Sequence, residues 1–191
     1  MSVAVVYETH STSVDNEEGF ATGWLGGTLS KTGREQAQAL GRRRRSDGLD
    51  VVIASDLNRA IETARIAFDG SGIPVLLDWR LRECDYGELN GMPRSLLEAE
   101  RRARIDEPFP GGESWRQAVA RVAGVLDALT RTRDGQRVCL IGHVATRWAL
   151  DHVVTGTRLE DLVEAPFDWR EGWEYTLPAH TGASQDVATL C

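Results

Sequence analysis

Three stretches of the chain, Val3-Ala-Val-Val-Tyr7, Val51-Val-Ile-Ala54 and Val138-Cys-Leu-Ile141, are nearly unbroken apolar runs bounded by polar or glycine-containing segments. That is the pattern of strands buried on both faces of a sheet. A last strand is predicted at Glu174–Leu177. Between the runs the period changes, and Ser30–Arg45, Asp56–Phe68 and Ser114–Thr130 place apolar residues at helical spacing. Each begins at a plausible N-cap: Ser30, then Ser55 or Asp56, then Ser114. Pro93–Arg104 predicts a further helix within an excursion over about 92–112, closed by the turn segment Pro108-Phe-Pro-Gly-Gly112 and placed to act as a lid.

The alternation of strand and helix predicts a three-layer α/β/α sandwich around a central, mostly parallel sheet. Right-handed crossovers cover both faces and leave the loops at the strand C-terminal ends as the site. With 191 residues, 41% of them hydrophobic, one substantial core is expected. The expected domain is 1–178, and the small, polar residues 179–191 read as a loose tail. Trp148, Trp169 and Trp173 read as core and edge packing.

A formal net charge of −7 argues against broad contact with nucleic acid or anionic membrane, so affinity for phosphate must come from a local site. The run Arg42–Arg45 reads as the solvated, dipole-complementing end of a helix rather than as that site. Cys84, Cys139 and Cys191 form neither a CxxC pair nor a zinc spacing, which fits a reducing compartment. The run Val3–Tyr7 is too short for a membrane span or a signal peptide and follows no positive charge. A cytoplasmic protein is the expectation.

The chemistry-bearing residues gather at the predicted strand ends. His10 follows the first strand and His143 the late one, so parallel pairing could bring both imidazoles to one edge. Arg59, about one turn into the helix after Val51–Ala54, would approach the same edge with the guanidinium fork suited to phosphate. Glu83 lies in the glycine-punctuated loop Leu81–Gly91, where a buried carboxyl could serve as a general acid. Singly, each has a bland reading. The histidines could be hydrogen-bonded structural residues, and Arg59 could pair with Glu62 or Glu35 on a wet surface.

Taken in order, these segments resemble the histidine phosphatase superfamily, also called the phosphoglycerate mutase-like family, over most of the chain. The family's opening Arg-His-Gly motif, with Asn six residues after the His, corresponds to Thr9-His10-Ser11 and Asn16. Thr22-Gly-Trp24 with Leu29-Ser30 and Gly33 is similar to the segment that closes over substrate, putting Thr22 and Gly23 at contact positions. Ser55–Ala64 resembles the arginine motif, Leu81–Gly91 the acid motif, Pro110–Ser114 the helix entry and Ile141-Gly-His143, followed by Val144, the second histidine motif. The resemblance implies that His10 is the nucleophile, that Arg59 and His143 hold the phosphoryl oxygens, and that Glu83 protonates the leaving oxygen. No cofactor or metal enters that scheme, and family members often pair, so a homodimer is allowed.

Thr9 and Ser11 depart from the motif. Threonine offers a hydroxyl but no fixed charge or fork, and losing one such donor costs roughly 2.7–4 kcal/mol at a transition state. Arg147, one turn after His143, and Arg94, in the excursion, are the candidates to restore the charge. The leading expectation is a phosphatase acting on a small phosphorylated metabolite through a phosphohistidine on His10. One alternative is a mutase-type transferase, for which Tyr86 and Arg94 resemble substrate positions. The other is a phosphate-ligand binding or regulatory module weakened by the change at position 9.

Overall fold

The computed structural model describes residues 1–166 and 169–179. Its central sheet has five strands in the order β4-β3-β6-β1-β7, formed by β1 (Val3–Thr9), β3 (Val51–Ala54), β4 (Val75–Leu77), β6 (Arg137–Gly142) and β7 (Trp173–Leu177). The first four run parallel, and β7 joins β1 antiparallel at one edge. The tail expected at 179–191 lies, but for Ala179, outside the described residues. Among those described, no helix is long and apolar enough to cross a membrane.

The strand pleat divides the apolar runs between two cores. Val5, Tyr7, Val51, Ile53, Val138 and Leu140 face one side, where they meet α5 (Trp115–Thr132) and α6 (Val144–Thr155). Val6, Val52, Ala54, Cys139 and Ile141 face the other, against α2 (Lys31–Arg44) and α3 (Asn58–Phe68). The α/β/α sandwich follows directly from that alternation. Cys84 and Cys139 are free, buried thiols, and burial pushes both well above the usual thiol pKa.

The expected caps hold for two helices. The Ser30 side chain accepts the Gly33 N–H, and Ser114 forms a capping box with Gln117. The third expectation is corrected: α3 starts after Leu57, which has no side-chain cap. Ser55 Oγ instead accepts the Leu57 N–H, tightening the strand-to-helix turn.

Four features were not anticipated. The edge strand β4 is one, and a second is the short helix α1 (Val14–Glu17), capped by Ser13 and Asn16. Third, the two-residue strands β2 (Phe20–Ala21) and β5 (Met92–Pro93) pair to anchor the base of the excursion. Fourth, α7 (Leu159–Glu164) follows α6. Within the excursion the helix is shorter than predicted: α4 spans Arg94–Glu100. Beyond it the carbonyls of Arg104 and Ile105 turn to accept the N–H groups of Trp115 and Arg116 at the start of α5, which ends the helix and ties the excursion to the core.

The reading of Arg42–Arg45 as a solvated helix end holds for Arg42 and Arg45, which are exposed at the end of α2, and is corrected for Arg44. Arg44 is buried and donates through Nε to the buried Glu8 carboxylate at 2.7 Å and through Nη1 to Asp47 at 2.9 Å. Arg43 also reaches Glu8, and Arg45 donates to the Ala67 carbonyl. The run pins α2 to β1 and α3 because β1 carries a buried carboxylate that demands a cation.

Candidate active site

The cavity, about 1020 Å³ in volume, opens at the C-terminal ends of β1, β3 and β6. Parallel pairing sets Thr9 opposite Gly142, and the His10 N–H continues the ladder to the Gly142 carbonyl at 3.0 Å. His10 and His143 therefore leave adjacent strands side by side, with ring centroids 4.9 Å apart. This is the juxtaposition expected from parallel strands.

Arg59 lies between them. It is 2% exposed and donates from Nε to His10 Nε2 at 3.3 Å and from Nη2 to His143 Nδ1 at 3.3 Å. The same guanidinium donates to the carbonyls of Gly23 at 2.8 Å and Leu25 at 3.3 Å. The surface pairing with Glu62 or Glu35 does not form; Glu62 accepts instead from Arg34 and from the Leu29 N–H.

These contacts settle the ring protons. A guanidinium only donates and a carbonyl only accepts, so His10 Nδ1 carries the hydrogen, donated to the Ser11 carbonyl at 2.8 Å, and Nε2 keeps its lone pair. By the same argument His143 accepts at Nδ1 and donates from Nε2 to Ser55 Oγ at 3.0 Å. Burial, reinforced by the Arg59 charge, lowers His10 from 6.5 to about 3 against the opposing Ser11 hydrogen bond. Burial and the neighbouring cations hold His143 well below the usual histidine range. Both rings are neutral near pH 7.

Glu83 also lines the cavity. Its Oε1 accepts the N–H groups of Cys84 at 2.9 Å and Ala145 at 3.2 Å, and Oε2 accepts that of Val144 at 3.3 Å. The carboxyl thus sits at the N-terminus of α6, where free backbone donors favour an acceptor.

Of the residues read from the sequence, Thr9, His10, Asn16, Thr22, Gly23, Arg59, Glu83, Tyr86, Arg94, His143 and Val144 all line the cavity. Ser11 does not. Its side chain is buried and its N–H bonds Thr63 Oγ1, so its contribution is the carbonyl that holds His10. Arg147 is corrected too: it donates to Asp151 at 2.7 Å, stacks on Trp173 and lies off the cavity. Arg94 stands on the wall with no ion pair among the described residues.

Trp148 and Trp173 are buried as expected, whereas Trp169 is 56% exposed and faces the cavity. Other wall residues were not singled out from the sequence: Phe20, Gln36, Leu97, Glu98, Arg101, Arg102 and Glu164 among them. Arg101 stacks on Trp148 at 5.7 Å, and its Nε finds no hydrogen-bond partner among the described residues. The Arg101-Arg102 pair was the one available signal, since adjacent arginines in an excursion over a phosphate site are natural ligands.

The chain belongs to the histidine phosphatase superfamily (branch 1), whose model matches residues 9–169. Among curated relatives, the 2,3-bisphosphoglycerate-dependent phosphoglycerate mutase of Methylobacterium sp. (strain 4-46) is 32% identical over 177 residues, 85% of each chain. The probable phosphoglycerate mutase GpmB of Enterobacter sp. (strain 638) is 33% identical over 146 residues, covering 70% of this chain and 66% of that one. The fold is shared with Bacillus stearothermophilus YhfR (TM-score 0.77, 24% identity, 88% of each chain). It is also shared with a mycobacterial glucosyl-3-phosphoglycerate phosphatase (TM-score 0.73, 24% identity, 85% of this chain and 84% of that one). Members of this superfamily are phosphatases and mutases, and the chain is an enzyme of that kind.

Proposed function

We propose that the protein is a phosphatase of small phosphorylated metabolites that works through a phosphohistidine at His10 Nε2. The observation that carries this reading is the fixed neutral tautomer of His10, with Nδ1 tied to the Ser11 carbonyl and Nε2 turned toward Arg59 and His143. In the first step the Nε2 lone pair attacks phosphorus, the bond to the ester oxygen breaks, and that oxygen takes the proton of Glu83. The ring becomes a phosphoimidazolium whose Nδ1–H still donates to Ser11, a charge-assisted bond that stabilises the intermediate. In the second step water attacks phosphorus and gives a proton to the Glu83 carboxylate. The P–N bond breaks, and inorganic phosphate and neutral His10 are released.

Arg59 supplies fixed positive charge to the equatorial oxygens, where most of the stabilisation in phosphoryl transfer arises. His143 accepts from Arg59 at Nδ1 and so has no hydrogen to offer there. A bound phosphate dianion offsets the Arg59 charge and favours protonation there, turning His143 into a second donor.

The wall composition favours a monoester over the bisphosphate that a mutase must retain. Arg59, Arg94, Arg101 and Arg102 are matched by Glu17, Glu83, Glu98 and Glu164, and Arg102 is already paired with Glu164, which leaves little net charge for a second phosphate. The mutase reading draws on the curated relatives and on Tyr86 and Arg94 at the wall. Expression in the cytoplasm is the setting that the cysteine usage favours.

Steady-state hydrolysis of p-nitrophenyl phosphate across mildly acidic to neutral pH, with His10→Ala alongside, tests the proposal. Turnover that disappears in the variant is expected. Folded wild-type protein with no turnover above the variant would overturn it in favour of a binding module.

A further inference from the structure

The segment that carries Glu83 belongs to neither a strand nor an α-helix. It leaves a 3-10 turn (Trp79–Leu81) and continues as irregular chain toward Tyr86, so its carbonyls have no helix or strand ladder to fix their path. One side chain supplies donors to three of them. Arg121, on the face of α5 turned toward this segment, donates from Nη1 to the carbonyls of Arg80 at 2.8 Å and Arg82 at 3.1 Å, and from Nη2 to that of Glu83 at 3.0 Å. Its remaining donors form a fork on Glu113, at 2.7 Å and 2.6 Å.

All five N–H groups are therefore committed, and the guanidinium plane has one orientation. Glu113 closes the arrangement by accepting the Asp85 N–H at 3.1 Å. The Trp24 indole donates to the same Glu83 carbonyl at 2.7 Å, and both Arg82 and Arg121 lie over the indole ring.

We infer that Arg121, through its ion pair with Glu113, is a positioning residue for Glu83; this rests on the general-acid role proposed above. A lysine cannot reproduce the fork, and a shift of the Glu83 backbone by about 1 Å moves the proton donor off the leaving oxygen, which can cost about a hundredfold. The dependence on leaving group separates this role from a merely structural one. p-Nitrophenolate departs with little help from an acid, whereas the alkoxide of β-glycerophosphate needs the proton.

The test compares kcat/KM for the two esters in wild type, Arg121→Met, Glu113→Gln and Glu83→Gln, each checked for folding by circular dichroism. Arg121→Met is expected to lose roughly a hundredfold on β-glycerophosphate and less than about threefold on p-nitrophenyl phosphate, with Glu113→Gln smaller in the same direction. Should Arg121→Met not fold, Glu113→Gln alone carries the comparison. Equal losses on both esters, or none, in a folded variant overturn the inference if Glu83→Gln itself discriminates between them. If Glu83→Gln does not discriminate, it is the proposed function that fails.

Discussion

Replacing His10 by glutamine changes how stability responds to acid, by an amount that follows from the site. The folded protein holds His10 at about 3 because desolvation at the cavity wall and the adjacent Arg59 charge disfavour the imidazolium, while the unfolded chain returns it to its ordinary 6.5. Between those values the unfolded state binds a proton that the folded state refuses, so stability falls as pH falls through that window. At pH 4.5 the gap below 6.5 amounts to about 2.7 kcal/mol from this one group. His143 acts in the same direction and is present in both proteins. Urea unfolding at pH 7 and pH 4.5 should therefore show the wild type losing about 2–3 kcal/mol more than His10→Gln. Equal losses would mean that His10 titrates normally in the folded state, and the claim that burial and Arg59 hold it neutral through acid pH would fail.

Thr9→Arg, which restores a guanidinium at the cavity wall, should raise kcat/KM on p-nitrophenyl phosphate, by up to about a hundredfold if the new fork reaches the phosphoryl group; no gain would indicate that Arg94 or Arg101 already fills that role. Glu8→Ala strips the buried Arg44 of its closer partner while Asp47 remains, so a loss of about 3 kcal/mol is expected in urea unfolding. A loss under about 1 kcal/mol would show that Arg44 rehydrates freely. Gly23→Ala should impair both stability and turnover, because φ is +57° and the added Cβ would meet Asn90 Oδ1 at 1.8 Å. Its carbonyl holds Arg59, so KM for phosphate esters is the parameter to follow, and an unchanged KM would count against that link.

The parts of the fold that were legible in the sequence are those whose burial is symmetric. Val51–Ala54 is buried along its whole length, and such a run can be read without knowing its neighbours. The strand Val75–Leu77 is apolar but only three residues long and exposed throughout on the sheet edge, too short a run to separate from the loops on either side. Ser30 and Ser114 cap through their own side chains and were readable locally; Leu57 starts α3 only because the turn from Ser55 positions it. The same distinction holds in the site. His10 and His143 sit at strand ends whose pairing the topology implies, and Arg59 lies in the first turn of the helix that follows a third. Arg101 reaches the cavity because α4 ends at Glu100 and the chain then bonds to α5, a tertiary event. Of the misread arginines, Arg44 took Glu8, 36 residues away, whose proximity only the folded chain reveals; Arg147 pairs with Asp151 one turn on in α6, an i,i+4 spacing the sequence already shows.

The central claim is that a phosphoryl group passes through His10 Nε2. The most direct measurement is mass spectrometry of the enzyme quenched in alkali during turnover of a phosphomonoester, with peptide mapping of any adduct. One phosphoryl group is expected on wild-type protein, mapped to His10 and absent from His10→Gln. Steady turnover with no adduct, or an adduct on another residue, would contradict it.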